Sequence, residues 1–404
     1  MNPCQCMMPK ADVTRLTEHY RHTLLEDFVP WWTTHSLDRE CGGFYSCLER
    51  DGRIYADDKY TWQLARQTWM FSRLYNCCEQ KPQWLEIARH GADFLIAHGF
   101  NQAGRLYFRL TREGKPLAER QDANAECFAA IALAEWSRCT GDPACLQQAL
   151  ICYDKVRALL GQPVNTPLLG YPLRGQFHLH AHDMIRLTVA SVLNEISPDP
   201  RWEEDLTRSA ESVIGQHWQP DLGVLLESIG ADGRPCLDIT EGRLVNPGHA
   251  IETAWMLMEL ASDRDDRELL EGAIDITLRS MERCWDWQYG GMRYLFNCDG
   301  SPTFPPQADQ KLWWPHTEAL YALLLAWSLT GRDDLAIWYN RVHDYAFSHF
   351  PDPRFGEWFG YLNRDGSVIF KAKANGWKGF YHVPRVFLRC LSLLSPTIQK
   401  TPTT

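Results

Sequence analysis

The sequence predicts an all-α protein, an (α/α)6 barrel with short β-hairpins gathered at one end. Three observations carry this expectation. A hairpin-like segment recurs five times, helical stretches of two alternating kinds follow it, and the composition supplies a large apolar core. The chain has 404 residues, 45% apolar and 23% charged, which excludes a disordered protein. Length alone is compatible with two or three domains, so the repeat has to decide.

The recurring segment reads GGFYSCLERDGRIY from Gly42, GRLYFRLTREGKPL from Gly104, GVLLESIGADGRPC from Gly223, GGMRYLFNCDGSPT from Gly290 and GEWFGYLNRDGSVI from Gly356. Aromatic and β-branched residues flank a D-G or E-G pair, the signal of a two-residue hairpin. Period and breakers place twelve helices at 13–35, 60–78, 82–98, 122–140, 143–160, 177–195, 199–218, 247–263, 266–284, 310–330, 333–350 and 377–394. The breaks carry turn chemistry, as in Gly141-Asp142-Pro143, Ser197-Pro198-Asp199-Pro200 and Gly331-Arg332-Asp333. Helices starting near 60, 122, 177, 247, 310 and 377 are apolar nearly all round, as in ALYALLLAWSL (319–329). Their partners are two-faced, as in WLEIARHGADFLIAHG (84–99). The first kind is buried and the second lies on the surface. Alternation of the two predicts an inner ring wrapped by an outer ring. It makes residues 13–396 one domain, between a flexible tail at 1–12 and another at 397–404.

Charge and cysteine usage narrow the function. With 41 Lys and Arg against 51 Asp and Glu, the net charge of −10 argues against nucleic acid or an anionic membrane as partner. No run of about 18 apolar residues occurs. The first residues, MNPCQCMMPKAD, lack a basic stretch followed by an apolar one, so no signal peptide is expected. Most of the 14 cysteines lie in apolar helical stretches, which predicts reduced, packed thiols and a cytoplasmic protein. Cys4 and Cys6 have no second ligand pair of matching spacing, so no metal site is expected. The 17 Trp residues either fill the core or wall a sugar cleft.

The inner helices start at the hairpin end, so polar residues early in them should converge in one mouth. These are Arg66, Glu126, His178, His180, His182, His249, Glu252, His316, Glu318 and His382. The sharpest segment is EGRLVNPGHAIETAW (241–255): Asn246 caps a helix begun by Pro247, with His249 in its first turn and Glu252 on the same face. A carboxylate on an imidazole fixes its tautomer and raises its basicity, as a general base requires. In KGFYHVPRVF (378–387), His382 opens the last inner helix. In DQKLWWPHTEALYA (309–322), Trp313 and Trp314 beside Glu318 suggest a stacking wall holding a carboxylate. In YTWQLARQTWMF (60–71), Tyr60 stands at the mouth, and Arg66 is an ion-pair partner or an anchor for a substrate oxygen. His178, His180 and His182 alternate and cannot all face one metal, whereas His178 and His182, at i and i+4, could; a structural or substrate-contacting role is preferred to metal, with His180 and His182 as the substrate-contacting candidates. Two histidines on different helices suggest proton abstraction beside a carbonyl. Two bases on opposite faces of a sugar C2 give epimerisation, and one base carrying the proton from C2 to C1 gives aldose–ketose isomerisation.

The chain resembles the N-acylglucosamine 2-epimerase family, which includes cellobiose 2-epimerases and mannose-type isomerases. The resemblance runs nearly end to end. It is carried by SLDRECGGFYSCLERDGR (36–53), KYTWQLARQTWMFSRLYN (59–76), EGRLVNPGHAIE (241–252), DQKLWWPHTEAL (309–320), RVHDYAFSHFPDPRFGEWFGYLNRDG (341–366) and WKGFYHVPR (377–385). The resemblance implies the same barrel, an acid/base pair in His249 and His382, an oxygen-binding Arg66, and supporting carboxylates in Glu252 and Glu318. It implies a small sugar as partner and no metal or redox cofactor. Some members use ATP as an activator, for which no motif occurs here, and a homodimer is compatible. The third inner helix opens with HAHDM (180–184) where acylglucosamine epimerases have a run close to LAVPM. That departure keeps a free hexose open as the substrate. A non-catalytic sugar- or protein-binding barrel is the reading of another class.

Overall fold

The computed structural model describes residues 10–120, 123–164 and 175–395. The predicted tails are largely outside them, as are Cys4 and Cys6. In chain order come α1 (Lys10–His22), a π-helical turn (Thr23–Phe28), α2 (Val29–His35), α3 (Thr61–Cys77), α4 (Pro82–His98), α5 (Asn124–Thr140), α6 (Pro143–Arg157) and α7 (His180–Ile196). Then follow α8 (Pro200–Ser212), the short α9 (Thr240–Arg243), α10 (Pro247–Arg264), α11 (Arg267–Cys284), α12 (Trp313–Thr330), α13 (Asp333–His349) and α14 (His382–Leu394). Helices α3, α5, α7, α10, α12 and α14 each touch the next, and α14 returns to α3, closing the inner ring. Helices α4, α6, α8, α11 and α13 pack outside it, and α1 covers α14. The (α/α)6 barrel is therefore present. None of the helices among the described residues is long and apolar enough to cross a membrane.

Burial follows the sequence pattern. Every residue of α12 from Trp313 to Ala326 is buried, which is why its apolar residues show no preferred face. Outer helices begin where expected. Asp142 and Asp199 accept hydrogen bonds from the amides of Ala144 and Arg201, each ahead of a Pro at the first helical position. Gly141 and Gly331 end α5 and α12 in the left-handed conformation.

Two expectations need correction. Inner helices were expected to begin at 177, 310 and 377. Instead Phe177–Leu179 and Lys311–Leu312 are strands, and α14 begins at His382. A short apolar run does not distinguish strand from helix. These strands, with Lys59–Tyr60 and Leu244–Val245, pair antiparallel with segments of later hairpins, at Ser228–Gly230, Tyr361–Leu362, Tyr107–Leu110 and Phe296–Asn297. They stitch neighbouring repeats together at the mouth. The second correction concerns the turns. Gly52, Gly114, Gly233, Gly300 and Gly366 have φ between +78° and +90°, but the acids before them do not have positive φ. Each glycine amide donates to the carbonyl three residues back. These are type I turns closed by a left-handed glycine, not two-residue loops.

A second device recurs three times at this end. Asp38, Asp286 and Asp352 each accept from backbone amides of the loop that follows, and each binds a buried lysine, Lys59, Lys311 and Lys373, at 2.9, 3.1 and 3.1 Å. An arginine from elsewhere, Arg112, Arg364 or Arg50, completes each set. Ionised pairs this deep are costly to desolvate, so each lasts only because its hydrogen bonds are filled. In the second copy Gly291 has φ +73°, and an added Cβ would lie 2.5 Å from the Tyr345 ring. Gly291→Ala is expected to lower unfolding free energy by at least about 1 kcal/mol, the cost of a side chain in left-handed backbone. Urea denaturation checks this, with the midpoint falling and the slope unchanged.

Candidate active site

Asn246 sets the first wall of the site. Its Oδ1 accepts from the His249 amide at 3.3 Å and Pro247 opens α10, so His249 lies in the first turn, facing the mouth. Its Nδ1 lies 3.0 Å from Glu227 Oε2, and about a fifth of the side chain is exposed. Glu227 sits between the strands Val224–Leu225 and Ser228–Gly230 and is buried. Burial would raise its carboxyl, but the His249 charge and a hydrogen bond from His180 hold it down at about 2. Burial likewise works against a charged His249, and the charge and hydrogen bond of Glu227 override it, so its pKa lies above 6.5.

The opposite wall is His382, the first residue of α14. Its Nδ1 lies 2.8 Å from Glu318 Oε1 on α12. The same oxygen accepts from Arg385 at 2.6 Å, and Oε2 accepts from the Trp255 indole at 2.9 Å. Burial pushes the His382 imidazole well below 6.5; Glu252 opposes this, while Arg385, Arg66 and His249 add to it. Such an imidazole is neutral, donates from Nδ1 to Glu318 and keeps the Nε2 lone pair free. Trp314 meets both histidines, its ring centre 5.3 Å from His249 and 5.5 Å from His382. Gly248 permits this approach, since a Cβ there would lie 2.5 Å from the Trp314 ring.

Arg66, on α3, is buried in a box of aromatic rings. Its guanidinium carbon lies 4.2 Å from the Trp62 centre, 4.0 Å from Phe128 and 4.6 Å from Tyr381. It takes no carboxylate among the described residues, its buried Nε has no partner, and burial lowers its pKa to about 10. A cation left with unused donors beside the histidines suits an oxygen on which negative charge develops.

The structure thus gathers His249, His382, Arg66, Glu318, Trp313 and Trp314 at one mouth, and it reassigns others. Glu252 makes no hydrogen bond to His249, although its charge adds to that of Glu227 in raising the His249 pKa. It accepts from Arg385 at 2.5 Å, because one turn along α10 carries it past His249 toward the barrel axis. Glu252, Glu318 and His382 present ligand atoms within 4.8 Å of one another, and Arg385 already donates to both carboxylates there. His180 is wholly buried, with Nε2 2.9 Å from Thr253 Oγ1 and Nδ1 3.4 Å from Glu227. It stands behind Glu227 and has no nitrogen left for a sugar. His182 is half-buried in the first turn of α7, and Tyr60 packs on Phe108 beside Gly376. His178 lies in a strand, and His316 is buried against the backbone of Leu312 and Met292.

Sequence reasoning missed Glu227, Arg385 and Trp377. Glu227 is a lone acid in the apolar run VLLESI, and Arg385 follows His382 by one turn, so both were detectable as ionisable groups in apolar surroundings. Trp377 is exposed at the rim, its ring 5.5 Å from Trp62, where only the tertiary structure puts it.

Two imidazoles on separate helices, each on its own carboxylate and tuned in opposite directions, define a proton-transfer site of the kind an isomerase uses. Residues 43–385 match the family model for N-acylglucosamine 2-epimerase. The chain is 36% identical to the bovine N-acylglucosamine 2-epimerase over 397 residues, covering 93% of this chain and 90% of that protein. It is 33% identical to the human one, with the same two shares. The solved cellobiose 2-epimerase from Spirochaeta thermophila has the same fold, with a TM-score of 0.83 at 21% identity, covering 98% of this chain and 100% of that one. The chain belongs to the N-acylglucosamine 2-epimerase family.

Replacing Glu227 removes the charge that holds the His249 pKa up. In Glu227→Gln the His249 imidazole is expected to titrate at lower pH than in the parent, as read from histidine ring resonances by NMR.

Proposed function

We propose that this protein is a sugar 2-epimerase that interconverts N-acetylglucosamine and N-acetylmannosamine. The observation that carries this reading is the pair of imidazoles that both meet Trp314, one held neutral on Glu318 and one held toward its charged form on Glu227. The sugar reacts in its open-chain form, where C2 is acidified by the C1 carbonyl. Neutral His382 takes the C2 proton through Nε2. The electron pair of the broken C–H bond moves into the C1–C2 bond, and negative charge builds on O1 beside Arg66. Charged His249 returns a proton to C2 from the opposite face, which inverts it. The reverse reaction exchanges the two roles. Every proton has a protein donor or acceptor, so the reading needs no metal or redox cofactor.

His180 bears on the substrate. The HAHDM departure supplies a histidine that backs Glu227 and an Asp183 that binds Arg186 at 2.6 Å, which favours leaving the acylated sugar as first reading. None of the twelve cysteines among the described residues is in a disulfide, which supports a reducing compartment and a cytoplasmic assignment.

Proton NMR in D2O with N-acetylmannosamine, mannose and fructose tests the activity. An epimerase replaces the C2 proton by deuterium and forms N-acetylglucosamine. Ketose from mannose would instead select the isomerase reading, and no exchange with any of the three would exclude both. His249→Ala and His382→Ala are each expected to lower kcat by about 10²–10⁴-fold, the usual share of an acid/base group. Circular dichroism and the thermal midpoint show whether the barrel is kept.

A further inference from the structure

The three Asp–Lys loops at the barrel mouth are internal controls for one another. In each, the chain runs from the aspartate to a left-handed glycine four residues on and closes back on the aspartate backbone. Gly42, Gly290 and Gly356 donate to the carbonyls of Asp38, Asp286 and Asp352. The next residue is also left-handed, and its carbonyl accepts from the aspartate amide. In the first two copies it is Gly43 (φ +68°) and Gly291 (φ +73°). Neither place has room for a side chain, since a Cβ would press on Leu64 and Phe94 at 2.9 Å, or on Tyr345 at 2.5 Å. In the third copy it is Glu357, with φ +55°. Asp265, at the end of α10, is the other non-glycine residue with positive φ among the described residues. A strained conformation persists where its surroundings over-determine it, and its side chain is the place to look for the reason.

The Glu357 side chain points inward. It is buried, and both carboxylate oxygens accept from Lys378 Nζ, at 2.7 and 2.6 Å. Lys378 gives its remaining hydrogen bond to the Lys373 carbonyl at 2.8 Å, so its ammonium is fully used. Lys378 is the fourth residue before His382, and the intervening chain is tight. Tyr381 donates to the Gly379 carbonyl, and Gly379 abuts Gln63 on α3. The lysine also meets the site through space. Its Nζ lies 5.8 Å from the Trp313 ring centre, and the same ring meets His382 edge-on, with centres 6.4 Å apart. Gly360 clears the room, since a Cβ there would lie 2.6 Å from the Lys378 stem and 3.2 Å from Trp313.

We infer that Glu357 is a positioning residue: through Lys378 it clamps the segment 373–382 and so sets where His382 stands against Glu318 and the sugar. The inference rests on His382 being one of the two acid/base groups. The clamp explains why strain is kept in one copy of the loop and relieved by glycine in the other two. It also explains a buried ion pair that the closure of the loop itself does not need, since Lys373 and Asp352 already supply what Lys59–Asp38 and Lys311–Asp286 supply elsewhere.

The test is the double variant Glu357→Gly with Lys378→Met. It gives the loop the residue its sister copies use and leaves no unpaired buried charge. With the clamp gone, His382 moves relative to the reacting carbon. For N-acetylmannosamine, kcat is expected to fall by about 10- to 100-fold, the cost of a misplacement near 1 Å, with KM little changed. The His382 pKa is also expected to move. Burial holds it down, and Glu252, Glu318, Arg385, Arg66, His249 and Tyr381 face it from α10, α12, α14 and α3. Looser seating admits water, so the pKa rises toward 6.5 and the acidic limb of kcat/KM shifts to higher pH. Glu357→Gln, which keeps an acceptor for Lys378, should show both changes at smaller size and covers the case in which the double variant does not fold. A merely structural role would lower the thermal midpoint and leave kcat per folded molecule and the acidic limb alone, and that result would overturn the inference. Titration of His382 by NMR without substrate separates this from the activity assignment, since it reads the clamp even if the parent exchanges no sugar proton.

Discussion

Two imidazoles, three carboxylates and two guanidinium groups meet where the inner helices of an apolar barrel converge, and the site depends on how their charges are compensated. A lone ion in such a place costs several kcal/mol, so each is paired, neutral or, as with Arg66, set against aromatic faces. Arg385 is the central counter-charge. It donates to Glu252 and Glu318 together, and Glu318 then has one oxygen for both Arg385 and His382 and the other for Trp255. Removing any one of these groups would leave the next with an unmet charge or hydrogen bond.

This arrangement makes the two histidines unequal. Glu227 serves His249 and, among the described residues, His180 besides, and its field, with that of Glu252 added, raises the His249 pKa. Glu318 is shared with a cation, and Arg385 and Arg66 both face His382, so burial prevails there. One imidazole is ready to accept a proton while the other is ready to give one. The proposed inversion at a carbon beside a carbonyl requires that pair of states, and it assigns the developing charge to Arg66, which no carboxylate among the described residues engages.

Positioning comes from the hairpin end. Inner helices present their first turns to one mouth because strands of successive repeats pair there and three Asp–Lys sets tie the loops down. The rigidity lies close to the chemistry. His249 stands four residues after the strand Leu244–Val245, on the helix that Asn246 caps, and His382 is the last residue of the segment 373–382. Helices alone would fix the axis of the barrel and leave the register of these first turns loose.

The amino-acid pattern by itself determined the barrel. All-round apolar helices such as α12 must be buried, two-faced ones such as α4 must cover them, and that alternation has one closed solution. It also marked His249, His382, Arg66 and Glu318, because an ionisable residue stands out in an apolar helix. The partners of those residues were decided by the tertiary structure. Spacing along α10 favoured Glu252 for His249, but Glu227 reaches His249 from a hairpin 22 residues earlier, and Glu252 turns to Arg385 133 residues later. Helical periodicity specifies which residues share a face. Which carboxylate meets which imidazole across a closed ring depends on the register between helices, and that is set by strand pairs and loop clamps distant in sequence from the residues they align.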